Sequence, residues 1–351
     1  MFFLLFLHLI FKISSAVEDP CRPETPFQEL VETVPDVQKT WIYYIVISCF
    51  VLTAIASTLL TGAFLVMSVA LWNHLKTMKF FWFLTQLTFS SFMISILNLI
   101  FNVPATLLSV STKQLIPSEL YFIVLYLMDF FLHSILFSNL VIAFQRLFVF
   151  FQKMESLFGT PLLYLWMILI YTLPVFILFS LFQNDCSYKY NAIEQKFKLY
   201  CPKVVSGIES LTKEPPEGIQ ILENFIQVGI PVVILVLYII LVIRVIKLKR
   251  SNRNKNEIII LKQAFFIFVM FQIYNIVTLF GKTLYINVAT AFYIKRAIHT
   301  AEIFAGAATP CIVFSTSREI RKVVSSRIGD GSAGKVPSAI KGISFRQSYF
   351  E

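Results

Sequence analysis

Three ionisable side chains interrupt the long apolar stretches of this sequence. Asp129 and His133 lie in LYLMDFFLHSILF, and Glu302 lies in HTAEIFAGAATP, one turn after His299. A carboxylate in hydrocarbon is costly unless it is paired, hydrated or protonated, so groups of this kind bind ligands, carry ions or tie helices together. A spacing of four puts Asp129 and His133 on one helix face, and Asn139 continues near it. That face either contacts a ligand or ion from the wall of a cavity or holds its helix to its neighbours. Glu302 either faces Asp129 across a bundle or faces the lumen alone. Lys295 and Arg296, at the outer end of the same stretch, attract an anionic ligand or snorkel to the surface. Arg146 follows Asp129 by 17 residues, roughly 25 Å along a helix. It belongs at the opposite, inner end, where it meets the sixth apolar stretch or a cytoplasmic partner, or serves only as a positive anchor.

These residues do not assemble into a catalytic set. HExxH and GxSxG are absent, and four histidines leave little for metal chemistry. Neither an enzyme, a metal centre nor a bound cofactor is expected. Gly329, Gly334 and Lys335 approach a phosphate-binding loop, but Val336 stands where that motif needs Ser or Thr.

The elements that position Asp129 and Glu302 must be membrane spans. Of 351 residues, 57% are hydrophobic and only 14% charged, with 37 Phe; an ordinary soluble domain carries about 25% charged residues. No soluble core buries so much apolar surface. The apolar stretches cover 41–71, 80–110, 119–151, 161–183, 222–243, 258–281 and 288–315. They are too long and too uniform for the strands of a barrel. The fold expected is an all-α membrane protein, a seven-helix transmembrane bundle. Pro174, Pro231, Pro310 and the Asn102-Val103-Pro104 run are expected to kink their spans.

Residues 1–16 read as a signal peptide, an apolar run ending in Ser14-Ser15-Ala16, although no Lys or Arg precedes that run. Residues 17–40 are an acidic extracellular tail, 41–315 the membrane domain, 316–328 a cytoplasmic amphipathic helix, and 329–351 a disordered tail. Odd spans and an outer N-terminus leave the C-terminus inside. Basic residues agree with that orientation: 18 fall inside and 11 outside, with Lys12 in the leader. The net charge of +10 is then a cytoplasmic face against anionic lipid, with no call for nucleic acid. The location expected is the plasma membrane.

Cys49 and Cys311 lie within spans and are expected to be buried small apolar groups. Cys186 and Cys201 bracket part of the second outer loop, in oxidising surroundings, and pairing them closes a local hairpin or lid. Cys21 is the alternative partner of either one.

The layout resembles the seven-helix G-protein-coupled receptors, and within them the nematode serpentine chemoreceptors, most closely the Srg type. The resemblance spans about residues 41–328. It rests on Ile142-Ala143-Phe144-Gln145-Arg146-Leu147 at the end of the third span. It rests also on Thr309-Pro310-Cys311-Ile312-Val313-Phe314, followed by the basic Ser317-Arg318-Glu319-Ile320-Arg321. Rhodopsin-like hallmarks are missing: Gln145 precedes Arg146, no cysteine opens the third span, and Thr309 precedes Pro310. The resemblance implies a receptor that senses an extracellular small molecule by shifting a helix-bundle equilibrium and signals to a heterotrimeric G protein. Asp129, His133 and Glu302 are then ligand-site candidates. Arg146, Arg244, Lys247 and Arg318 are candidates for the inner, G-protein-facing readout. The competing class is a transporter or channel using the intramembrane Asp, His and Glu; no inverted repeat supports it.

Overall fold

A computed structural model describes residues 39–75, 79–108, 118–151, 160–183, 187–191, 196–200, 203–205, 208–210, 217–248, 269, 272–273 and 288–316. The first span is α1 (Trp41–Ala70), followed by the single turn α2 (Trp72–Leu75). The second is α3 (Lys79–Leu97), a π-helical segment (Asn98–Asn102) and α4 (Val103–Leu108). The third is α5 (Ser118–Phe151) and the fourth α6 (Thr160–Gln183). The fifth comprises α7 (Glu217–Asn224), a second π-helical segment (Phe225–Gly229) and α8 (Ile230–Leu248). The last is α9 (Val288–Thr316). Of the sixth apolar stretch, only Val269, Gln272 and Ile273 are among the described residues, and all three are helical. The leader, the N-terminal tail and residues 317–351 lie outside them.

The helices form where the sequence is apolar all round, because a lipid-embedded segment must satisfy every backbone group internally. Buried hydroxyls follow the same rule. Thr61 donates to the Ser57 carbonyl at 2.6 Å, Ser68 to Phe64 at 2.7 Å, and Thr88 to Leu84 at 2.9 Å. Each bond closes one turn back on its own helix.

The prolines act in two ways. Pro174 and Pro310 sit inside continuous helices. Pro104 and Pro231 each stand just after a π-helical segment. A proline lacks the N–H and crowds the carbonyl four residues back. Widening the preceding turn to the π register relieves that crowding.

One core runs through the bundle, built from Phe83, Ile94, Phe131, Ile135, Ile170, Ile234 and Ile303 among others. Helix α9 packs along α1 and α3, and α5 packs against α3, α6 and α8. Outward residues such as Leu59, Val69, Ile168 and Phe176 remain exposed, an apolar belt suited to lipid, and Cys49 and Cys311, expected to be buried, are exposed on it instead of packed inside. A hydroxyl knot joins three spans: Ser57 on α1 and Ser95 on α3 approach to 2.7 Å, and Ser57 donates to the Ile303 carbonyl on α9 at 3.2 Å.

Beyond the helices, the loop between α6 and α7 carries two short antiparallel hairpins. Strands β1 (Ser187–Asn191) and β2 (Lys196–Tyr200) pair, as do β3 (Lys203–Val205) and β4 (Ile208–Ser210). Cys21, Cys186 and Cys201 lie outside the described residues. The outermost pair of the first hairpin is Ser187 opposite Tyr200, and these two residues are the chain neighbours of Cys186 and Cys201. A Cys186–Cys201 disulfide is the expected continuation. Non-reducing peptide mapping should recover the two peptides linked. Cys186→Ser should lower stability by about 3 kcal/mol, the chain-entropy value for a loop of this size. Recovery of both as free thiols removes the bridge.

Candidate functional site

The outer polar site is assembled from α3, α5 and α9. On α5, Asp129 and His133 are both half-buried. The Nδ1 of His133 lies 2.7 Å from the backbone carbonyl of Asp129, so this contact fixes the imidazole on its own helix. On α9, Glu302 lies within electrostatic reach of Asp129. Its Oε2 is 3.9 Å from Nδ1 of His299, one turn earlier. That nitrogen is shielded from solvent and has no hydrogen-bond partner among the described residues.

The second span contributes residues that the sequence did not single out for a site. Asn102 donates from Nδ2 to Asn98 Oδ1 at 2.8 Å and contacts Met128 Sδ at 3.9 Å. Asn98 in turn donates to the Ile94 carbonyl at 2.9 Å. The π segment ahead of Pro104 therefore brings an amide pair beside the residue that precedes Asp129. The sequence signals available were the four-residue Asn spacing and the proline just beyond it.

Arg296 departs from the expectation of a residue at the outer mouth. It is 3% exposed, and its guanidinium lies 5.2 Å from the Phe50 ring and 5.4 Å from the Phe292 ring. Phe292 stacks on Tyr43, and these aromatics shield the charge between α1 and α9. Buried cation–π contact replaces snorkelling because this pocket is both apolar and electron-rich. Lys295 and Arg296 lie within electrostatic reach of His299.

The inner site centres on Arg146. The residue is only 7% exposed. Phe80, at the start of α3, lies across it with the guanidinium carbon 3.6 Å from the ring centroid. Tyr238 on α8 lies within electrostatic reach of Arg146. Nε and Nη2 of Arg146, and Oε1 of Gln145, are buried without a hydrogen-bond partner among the described residues. Arg146 thus joins α3, α5 and α8 while keeping donor capacity unused. Arg244 and Lys247 stand on the last turns of α8, but their side chains, like Arg318 altogether, lie outside the described residues.

Among the described residues, no three His, Cys, Asp or Glu side chains gather as metal ligands. The chemistry on hand is charge recognition at the outer site and hydrogen-bond donation at the inner one.

The fold is similar to the crystal structure of squid rhodopsin, with a TM-score of 0.60, covering 89% of this chain and 91% of that one at 14% identity. At that identity the likeness carries the fold alone. The chain has the fold of a seven-helix membrane bundle, like that of squid rhodopsin. Residues 32–336 match the family described as "Protein of unknown function (DUF621)", and the chain belongs to that family. No curated protein matches the sequence.

Proposed function

We propose that this chain is a chemoreceptor-like receptor of the plasma membrane. It senses an extracellular small molecule at Asp129, His133 and Glu302 and signals to a heterotrimeric G protein at its inner face. Its N-terminus is extracellular and its C-terminus cytoplasmic. The observation that carries this reading is Arg146. A guanidinium buried at the meeting of three helices, with two N–H-bearing nitrogens unpartnered among the described residues, is held ready for an acceptor supplied by something else. Arg244, Lys247 and Arg318 extend that readout along the basic inner ends. The outer site lies on the same helix α5, roughly 25 Å away. A ligand that binds one arrangement of α3, α5 and α9 more tightly biases what the inner end presents.

Agonist-independent coupling in cells tests the reading. The full chain, expressed with a panel of G-protein biosensors, should raise activation above that of an Arg146 variant matched for surface level. Equal signals across the whole panel would overturn it. The electrostatic interaction of Asp129 with Glu302 gives a second reading some ground, that of a transporter or channel relaying ions past these carboxylates. Ion flux in proteoliposomes, lost in Glu302→Gln, would favour that reading.

A further inference from the structure

We infer that Phe80 is an internal cover for Arg146, a ring that must come off the guanidinium before an acceptor on a partner can reach it. The consequence for signalling rests on the receptor reading above. The cover itself stands independently of coupling.

The guanidinium carbon of Arg146 lies 3.6 Å from the centroid of the Phe80 ring. At that separation it must lie over the face of the ring, because in the ring's own plane it would collide with the ring carbons. The guanidinium must also lie nearly parallel to the ring, since an edge-on approach would drive a nitrogen into it. The five N–H bonds of an arginine point outward in the guanidinium plane. A stacked ring therefore attracts the cation but uses none of its donors. Nε and Nη2 accordingly have no hydrogen-bond partner among the described residues, although the residue is only 7% exposed. Buried donors left unpaired are costly, and the ring offsets only part of that cost. The covered arrangement is thus one that an acceptor, once admitted, would improve upon.

The neighbours of Phe80 determine how the cover opens. Phe80 is the second residue of α3, and the two aromatics that follow it fix this first turn to other elements. Phe81 stacks on Phe64 of α1 with ring centroids 5.6 Å apart. Trp82 meets Trp72 of α2 at 4.6 Å and Tyr164 of α6 at 5.7 Å, both edge to face. The ring of Phe80 is therefore carried by a unit built from α1, α2, α3 and α6, whereas the cation under it stands on α5. Arg146 leaves the ring when the inner end of α5 shifts against that unit. Such a displacement changes one stacked contact and leaves the aromatic anchors of Phe81 and Trp82 in place.

The test uses the full-length protein and two readouts. In lipid nanodiscs, phenylglyoxal modifies accessible arginines, and peptide mass spectrometry follows the rate at each position. In cells, G-protein biosensors report agonist-independent coupling at matched surface level. The strength of a cation–π contact corresponds to about a 2- to 30-fold bias between covered and open states. Phe80→Leu keeps apolar bulk but removes the ring face. It should speed modification of Arg146 by a factor in that range and raise coupling. Phe80→Tyr keeps the face and should leave both readouts near those of the parent. Arg296, 3% exposed among other aromatics, is the internal control, and its modification should not change in either variant. If Phe80→Leu gives no surface protein, Phe80→Met is read in its place by the same criteria. An unchanged rate at Arg146 overturns the cover. An equal rise at Arg296 also overturns it, because the ring would then hold the fold and not the cation. A rise confined to Arg146 with coupling below that of the parent would show that Phe80 presents Arg146 to the partner, and this too overturns the inference. A rise confined to Arg146 with no coupling in any protein, the parent included, refutes the receptor reading and keeps the cover.

Discussion

Replacing Arg146 by leucine is expected to raise thermal stability and abolish coupling in the same protein. The guanidinium is 7% exposed, and two of its nitrogens have no hydrogen-bond partner among the described residues. Exchanging buried charge for a packed apolar side chain is often neutral or stabilising, by about 1–4 kcal/mol. The change forfeits the stacking of the cation on Phe80 at 3.6 Å, a contact of about 0.5–2 kcal/mol. The stabilising term is the larger, so a net gain on the order of 1 kcal/mol is expected, read as a rise in Tm of about 1–2 °C for a chain of this size. Signalling moves the other way, since leucine offers no N–H to a partner. Tm in detergent and biosensor output at matched surface level check the two halves. A fall in Tm together with loss of surface protein would mean that Arg146 holds α3, α5 and α8 together and does nothing else.

Tyr238 offers a milder comparison. It meets Arg146 from α8, and its ring is buried. Tyr238→Phe keeps that ring and removes only the hydroxyl. Its effect should therefore fall well below that of Arg146→Leu in both measurements.

The spans were legible in the sequence because their signal is local and long. A stretch of apolar residues with no charge, such as 41–71, has no stable alternative to a helix in lipid. The structure accordingly starts α1 at Trp41 and ends it at Ala70. The depth of Asp129 and Glu302 could be counted along the helix. Which residues they meet depends on how helices rotate against one another, and no single span records that. Arg146 shows the limit. Counting residues put it at the inner end, but its burial comes from Phe80, which is 66 positions earlier in the chain. Arg296 shows it again: a basic residue near a span end reads as a surface anchor until Phe50 of a different helix encloses it. The amides of Asn98 and Asn102 were unremarkable in sequence. They gained a position beside the site only when Pro104 forced the turn before it into the π register.

The second large effect is expected where α9 crosses α3. Gly306 lies so close to α3 that an added Cβ would sit 2.7 Å from Cβ of Ser91 and 2.8 Å from its Oγ. Separations below 3 Å do not occur between such atoms, so one helix must move. Ser91 has little freedom to yield, because it is buried and its hydroxyl donates to the carbonyl of the equally buried Leu87 at 3.0 Å. The same crossing holds the Ser57–Ser95 contact and the bond from Ser57 to the Ile303 carbonyl, one turn before Gly306. Pushing the helices apart to admit a side chain would stretch those bonds as well. Gly306→Ala is therefore expected to destabilise by about 1–3 kcal/mol, the usual cost of overpacking, and Gly306→Val by more. The intrinsic helix preference for alanine over glycine, about 1 kcal/mol, acts in the opposite direction and should be outweighed. Ser91→Gly removes the clashing atoms. The double variant Ser91→Gly with Gly306→Ala should recover most of the loss, giving a coupling energy of on the order of 1 kcal/mol or more between positions in contact. Tm of the four proteins in one detergent measures the cycle. Gly306→Ala as stable as the parent, or a double variant that is merely the sum of the two single changes, would show that α3 and α9 do not meet as closely as the structure has them.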